Sequence, residues 1–245
     1  MLVLAAACGR LGFDPTGDGG ASDGMTDAFV VSLCPGDGSG ARVCDGFESP
    51  SLASRWLYDT EQGTATASTV RAYRGNSSLY TQTDQITKPT LYPRASLQTY
   101  DGLPVIGSIN LRVFVYLTAP TVSNFVQLIN FANEAGVGIS MGVRNGKVVN
   151  NDYTDMIYAE STTVFPTDRW VCVVFKVPSD TTDTVRIYLD DIEVTDVALM
   201  KITAQPPPTH LYLGLDWPNM YTNLPPSSAW FDELIIDDVS TNCAQ

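Results

Sequence analysis

Rings and planar polar groups recur on single faces of several alternating stretches in this 245-residue chain. In Ile109–Leu117, INLRVFVYL, the residues Asn110, Arg112, Phe114 and Tyr116 fall on one face. Ile109, Leu111, Val113, Val115 and Leu117 fall on the other, as the two-residue period of a strand requires. Arg186 and Tyr188 share a face of VRIYL, and His210, Tyr212 and Asp216 share a face of HLYLGLD. Tyr153 and Tyr158 in NNDYTDMIYAE, and Trp217 and Tyr221 in LGLDWPNMYTNLPPSS, are aromatic residues expected on loops. Aromatic rings stack on the C–H patches of sugars, and planar polar side chains hold their hydroxyls. Arg112, Phe114, Tyr116, Tyr153, Arg186, Tyr188, Tyr212, Asp216, Trp217 and Tyr221 therefore form a candidate ligand-binding set. Two arrangements stay open. Either these faces line one concave groove, or some belong to a face that loops cover.

Catalytic chemistry has fewer candidates. Gly-x-Ser-x-Gly strings occur at Gly20–Gly24 and Gly138–Gly142, but the first lies in a Gly/Asp-rich stretch and the second inside a candidate strand, so neither is a strand-to-helix elbow. With no P-loop or dinucleotide fingerprint either, nucleophilic, phosphoryl and hydride chemistry are unsupported. The one histidine, His210, opens a strand and is expected to be structural; acid–base work would need it beside a tyrosine and Arg112. There is no CxxC pair, so a zinc site is unsupported. Asn151, Asp152 and Asp155, and Asp190 and Asp191, are hard oxygen donors in turns, and calcium is the metal they would take. Against that, Asx residues in turns usually cap their own backbone. Lys+Arg number 14 against 27 Asp+Glu, a net charge of -13. Such a surface repels nucleic acid and anionic membrane and suits neutral ligands, cationic ligands or calcium.

The chain opens MLVLAAAC, a short apolar run ending in small residues before Cys8. It resembles the lipobox of bacterial lipoproteins, which implies lipidation of Cys8 and an anchor in the cell envelope. Gly9, rather than aspartate, after the cysteine implies the outer membrane. The run lacks a basic flank and is shorter than a normal signal core, which points to a translation start upstream of Met1. Residues 9–41 are rich in Gly, Asp, Ser, Thr and Pro and cannot bury enough surface to offset their ordering entropy, so they are expected to form a flexible tether. The remaining cysteines, Cys34, Cys44, Cys172 and Cys243, form an even set, as two disulfides in an oxidising compartment require. Cys172–Cys243 with Cys34–Cys44 is preferred narrowly to Cys34–Cys243 with Cys44–Cys172, and the sequence does not fix the pairing.

From residue 42 to 245 the pattern is all-β. Candidate strands are Val43–Glu48, Thr64–Ala72, Ser78–Thr83, Pro93–Thr99, Ile109–Leu117, Phe125–Ala132, Gly136–Arg144, Lys147–Asn150, Met156–Glu160, Trp170–Val177, Asp183–Leu189, Ile192–Val194, Val197–Met200, His210–Leu215 and Ala229–Asp237. Asn145-Gly146 and Asp190-Asp191 read as two-residue hairpin turns. Many short strands with turns at this spacing indicate a two-sheet antiparallel jelly-roll sandwich. Trp56, Trp170 and Trp230 sit at strand edges, where a core or corner plug is expected.

Five pieces occur in an order that resembles a concanavalin-A-like lectin/glucanase sandwich, in its laminin-G-like branch. They are Cys44-Asp45-Gly46-Phe47-Glu48, Tyr73-Arg74-Gly75-Asn76-Ser77-Ser78-Leu79, LRVFVYL, the Trp170 strand with VRIYLDD, and Trp230-Phe231-Asp232-Glu233-Leu234. The resemblance covers Val43 to Asp238 and implies adjacent N- and C-terminal strands and a glycan-binding surface. The family's retaining glucanases use E-x-D-x-x-E, which supplies the nucleophile and acid carboxylates; no such string occurs here. Its alginate-lyase-like members use a Gln-x-His triplet, also missing. The reading is thus a surface-anchored, non-catalytic carbohydrate-binding lipoprotein. A polysaccharide lyase or glycoside hydrolase on the same fold is the alternative, and a structural or adhesive envelope protein the second.

Overall fold

The computed structural model describes residues 43–99, 103, 108–118, 125–133, 137–178, 183–200 and 208–244. Cys8, the tether 9–41 and Cys34 lie outside the described residues. Along the chain run β1 (Val43–Asp45), β2 (Leu57–Glu61), β3 (Gly63–Ser68), β4 (Ser78–Thr83), β5 (Thr90–Leu91), β6 (Arg94–Thr99), β7 (Ile109–Leu117), β8 (Val126–Ala132) and β9 (Gly138–Arg144). After them come β10 (Lys147–Asp152), β11 (Ile157–Val164), β12 (Trp170–Val177), β13 (Thr184–Leu189), β14 (Ile192–Glu193), β15 (Leu199–Met200), β16 (His210–Asp216), β17 (Met220–Tyr221) and β18 (Ser227–Asp237).

These strands form two large antiparallel sheets, as the alternation predicts. The first has the order β14-β13-β12-β7-β18-β4-β3, with β1 on β18 and β15 on β13. The second has the order β11-β10-β9-β8-β16-β6-β2. Both hairpin turns form. Asn145 and Gly146 have φ of 52° and 75°, and Asp190 and Asp191 have 49° and 65°, the positive pairs that the right-handed twist of flanking strands favours. β2 has no clean apolar alternation because it is an exposed edge strand, held by backbone pairing to β6. β5 and β17 are too short to leave a pattern.

The core lies between the sheets. Ile109, Leu111, Val113, Val115 and Leu117 on β7 are all buried, and each contributes about 1.5–3 kcal/mol by leaving water. Phe175 of β12 meets Phe131 of β8 across the gap, with ring centroids 6.0 Å apart.

The other face of β7 corrects an expectation. Arg112, Phe114 and Tyr116 lie on the outside of the first sheet, but loop residues 69–77 cover them. Tyr73 stacks on Phe114 at 3.6 Å between centroids, and the Arg71 guanidinium sits 4.2 Å from the Tyr116 centroid. The loop is held down by Asp232, whose carboxylate accepts hydrogen bonds from the amides of Tyr73 (2.7 Å) and Arg74 (3.1 Å). Glu48 accepts another from the Asn76 amide. Arg112 is fully buried; burial lowers its pKa, partly opposed by Glu233. The C-terminal segment covers the rest, through Cys172–Cys243 (Cα–Cα 5.9 Å) and the Cys243 amide on Asp191. Cys44 is also disulfide-bonded, and its partner lies outside the described residues. Phe114, Cys172 and Val174 thus make a second, small core with Tyr73, Trp170, Tyr188 and Cys243. Phe114→Ala should therefore cost about 3–5 kcal/mol of stability by urea unfolding; an unchanged midpoint would mean that the covering loop packs on nothing that matters.

Candidate functional site

Among the described residues, none covers the outside of the second sheet as loop 69–77 covers the first. On β16, Leu211, Leu213 and Leu215 point to the core, and His210, Tyr212, Gly214 and Asp216 point away from it. Cross-strand register then fixes what stands beside them. On β6, Gln98 pairs with Tyr212, Ser96 with Gly214 and Arg94 with Asp216. On β8, Asn130 faces Tyr212 and Gln127 faces Asp216, across a register shift. Ser140 and Gly142 on β9 continue the rows, and Asn151 and Tyr158 extend them onto β10 and β11.

The floor is low because small residues occupy its middle. Gly214 has φ of 148° at the shift in β16, and a Cβ there would lie 2.4 Å from the Ala95 carbonyl oxygen. A Cβ on Gly142 would lie 2.0 Å from the Val126 carbonyl oxygen. Only glycine permits this close approach of strands. The result is a trough in two lobes that share Tyr153 and Pro218. One, about 480 Å³, is lined by Asp59, Tyr92, Arg94, Gln127, Asn130, Tyr153, Tyr212 and Asp216 among others. The second, about 310 Å³, is lined by Phe125, Arg144, Asn151, Tyr153, Tyr158, Asn219 and Tyr221 among others.

Hydrogen bonds orient the planar side chains. Gln98 Nε2 donates to the Tyr212 hydroxyl at 3.0 Å. Gln127 Nε2 donates to Ser140 Oγ at 3.2 Å and to the Tyr153 hydroxyl. Arg94 Nε donates to Asp59 at 2.5 Å and its Nη1 to the Tyr92 carbonyl at 3.0 Å. Arg144 donates to the Tyr158 hydroxyl at 3.1 Å. Two groups titrate far from their usual ranges. Burial pushes Asp216 up to about 7, with Asp59 adding and Arg94 opposing. Burial likewise pushes Tyr153 up to about 12, against hydrogen bonds from its neighbours.

Of the residues expected from sequence, the trough unites Tyr153, Tyr158, Tyr212, Asp216 and Tyr221. Arg112, Phe114, Tyr116, Arg186 and Tyr188 are on the other sheet: Val174 pairs with both Arg112 and Tyr188, and Lys176 with Arg186. A His210–Tyr–Arg112 set is therefore not formed; His210 meets the Thr209 hydroxyl at 2.6 Å and stacks near Tyr212. Trp217 is no loop contact but fully buried, its amide bonded to the Pro93 carbonyl. The turn carboxylates cap backbone: Asp152 accepts from the amides of Thr154 and Asp155, and Asp190 accepts from the Cys172 amide and pairs with Arg169 at 2.8 Å. Among the described residues no three His, Cys, Asp or Glu side chains group to hold a metal. Asp59, Arg94, Gln98, Gln127, Asn130 and Arg144 were not anticipated. Arg94, Ser96 and Gln98 do alternate with Ala95, Leu97 and Thr99, and that signal was present. On β8, a register shift between Gln127 and Ile129 puts Gln127 and Asn130 out of period.

Two antiparallel sheets with a covered outer face on one and a trough on the other define a jelly-roll sandwich. Solved structures share it. A chain titled "Cellulose induced protein, Cip1" superposes with a TM-score of 0.67 at 16% identity, covering 82% of this chain and 99% of its own. An endo-β-1,4-glucuronan lyase from the fungus Trichoderma reesei gives 0.59 at 15%, covering 77% and 92%. The alginate lyase AlgAT5, of polysaccharide lyase family 7, gives 0.50 at 11%, covering 73% and 83%. No family model matches the chain, and no curated protein does. At these identities the likeness is one of fold.

The raised pKa of Asp216 has a consequence for stability. In the unfolded chain an aspartate titrates at about 3.9, so the folded state binds the proton more tightly. The stabilisation is complete below about pH 4 and is lost as the pH rises through about 7. Asp216→Asn should therefore gain stability over the unsubstituted chain at about pH 8, with the gain shrinking toward pH 5, in paired denaturant melts. A gain independent of pH would contradict it.

Proposed function

We propose that this chain is a carbohydrate-binding protein that holds a polysaccharide along the trough of the second sheet. The observation that carries the reading is the trough's make-up: Tyr92, Tyr153, Tyr158, Tyr212 and Tyr221 stand around planar polar groups fixed by hydrogen bonds. Such rings and amides suit the alternating C–H and hydroxyl surfaces of a sugar chain. The names of fold neighbours, one induced by cellulose and two lyases of glucuronan and alginate, support a glycan as ligand.

One observation favours a second reading, bond cleavage by a lyase or hydrolase. Asp216 and Tyr153 line the same lobe with their pKa values raised to about 7 and about 12, and a carboxyl group that titrates near neutral pH is suited to general acid or base work. The binding reading leads because neither the paired-glutamate strand nor the Gln-x-His triplet of the fold's enzymes is present. The segment MLVLAAAC supports a lipid anchor at Cys8 with residues 9–41 as tether and an outer-membrane or cell-surface location; the even cysteine set supports export.

A glycan array with the full chain tests the main reading, with reducing-end and unsaturated-product release assayed on every hit. Binding to at least one polysaccharide is expected, reduced at least about tenfold by Tyr212→Ala, which takes a ring from the trough, and unchanged by Tyr188→Ala on the opposite sheet. Failure to bind any glycan would sink the reading, and product release would promote the second. For the anchor, mass spectrometry of the mature N-terminus should find a diacylglyceryl-modified Cys8; an unmodified cysteine refutes it.

A further inference from the structure

Charge is distributed unevenly in the larger lobe of the trough. Two carboxylates of its lining, Asp59 and Asp216, stand beside one guanidinium, that of Arg94, and Glu61 outside the lobe faces Arg94 from β2. Burial works against the Arg94 charge, but the hydrogen bond and field of Asp59, with those of Asp216 and Glu61, leave its pKa raised. That cation is already engaged: its Nε is on Asp59 at 2.5 Å and its Nη1 on the Tyr92 carbonyl. Arg144 in the smaller lobe is likewise engaged, by the Tyr158 hydroxyl and by Glu160 at 3.9 Å. Acceptors, by contrast, stand unmet. Among the described residues the Asp216 carboxylate feels burial and the fields of Asp59 and Arg94 with no hydrogen bond beside them, and the Asn130 amide oxygen, in the lining of the lobe, has no partner.

Resting on the glycan reading, we propose that the trough selects neutral or amine-bearing sugars and turns away uronates, and that Asp216 is the residue that discriminates. A uronate carboxylate entering beside Asp216 and Asp59 meets two like charges and no uncommitted cation, and in a site partly shielded from water that repulsion is amplified. A hydroxyl or an ammonium entering at the same point finds an acceptor waiting. The groups facing Asp216 are Asp59 on β2, Arg94 on β6, Gln127 on β8 and Tyr153 after β10. His210 lies at the opposite end of the same strand face.

The test compares hexamers of glucose, glucosamine and glucuronate in one β-1,4 linkage, by calorimetry on the full chain. At about pH 8 the glucose and glucosamine hexamers should bind at least about tenfold more tightly than the glucuronate hexamer. Lowering the pH to about 6 protonates Asp216 while the uronate stays charged, so uronate affinity should rise and glucose affinity should not. Asp216→Asn should bring the uronate within about threefold of glucose and remove the pH response, which separates Asp216 from His210. Asp59→Asn, which releases Arg94, should also admit the uronate, and serves if Asp216→Asn does not fold. A wild-type preference for glucuronate, weaker binding of glucosamine than of glucose, or an unmoved ratio in both variants would overturn the selectivity and leave the glycan reading standing. Binding of none of the three would count against both.

Discussion

On β18 the chain advances three residues, from Asp232 to Ile235, while its partner β7 advances two, from Phe114 to Arg112. The extra residue is accommodated by Glu233, buried and at a φ of 52°, and the bulge aims the Asp232 carboxylate at the amides of Tyr73 and Arg74. A buried carboxylate is costly unless several donors reach it. Here the donors come from a loop more than 150 residues away in sequence, since each of the two bonds spans 159 or 158 positions. Satisfying Asp232 and seating the loop are one event, and the loop's seating is what puts Tyr73 on Phe114 and Arg71 over Tyr116 and Trp230.

The two outer faces therefore differ for identifiable reasons. The first sheet carries large rings and a buried arginine on its outside, and these need cover; loop 69–77 and the disulfide-tied C-terminus supply it. The second carries glycine, serine and alanine down its centre, where there is little apolar surface to hide. Its larger polar residues, Gln127, Asn130, Tyr212 and Asp216, stand between them on β8 and β16. A face with a low centre needs no cover and is free to accept a ligand, and the same small side chains that make it shallow in apolar area give it room.

Much of this was legible in the sequence, and the boundary of legibility is physical. Period-2 alternation assigned the inner face of β7 correctly, because burial between two sheets demands an unbroken apolar row. It could not say what lies over Arg112, Phe114 and Tyr116, because alternation distinguishes two faces of a strand but not a solvent face from one covered by a distant loop. Trp217 marks a limit of a different kind. The inward positions of β16 are Leu211, Leu213 and Leu215, and the next is Trp217; the period predicts its burial, but the proline after it reads as loop and hid the continuation. On β8 the register shift after Gln127 breaks the period, so alternation does not put Gln127 and Asn130 on one face. β2, which contributes Asp59, left no signal because an edge strand held by backbone bonds needs no apolar face.

The first strand of the sandwich, β1, pairs with the last, β18, through Val43 with Ile236, Cys44 with Ile235 and Asp45 with Leu234. That pairing lies in the sheet whose outside is covered. Whatever precedes Val43 thus joins the molecule on its closed sheet, and a pull from that end is borne by backbone bonds to a strand packed against β7. The trough lies on the opposite sheet, away from that end.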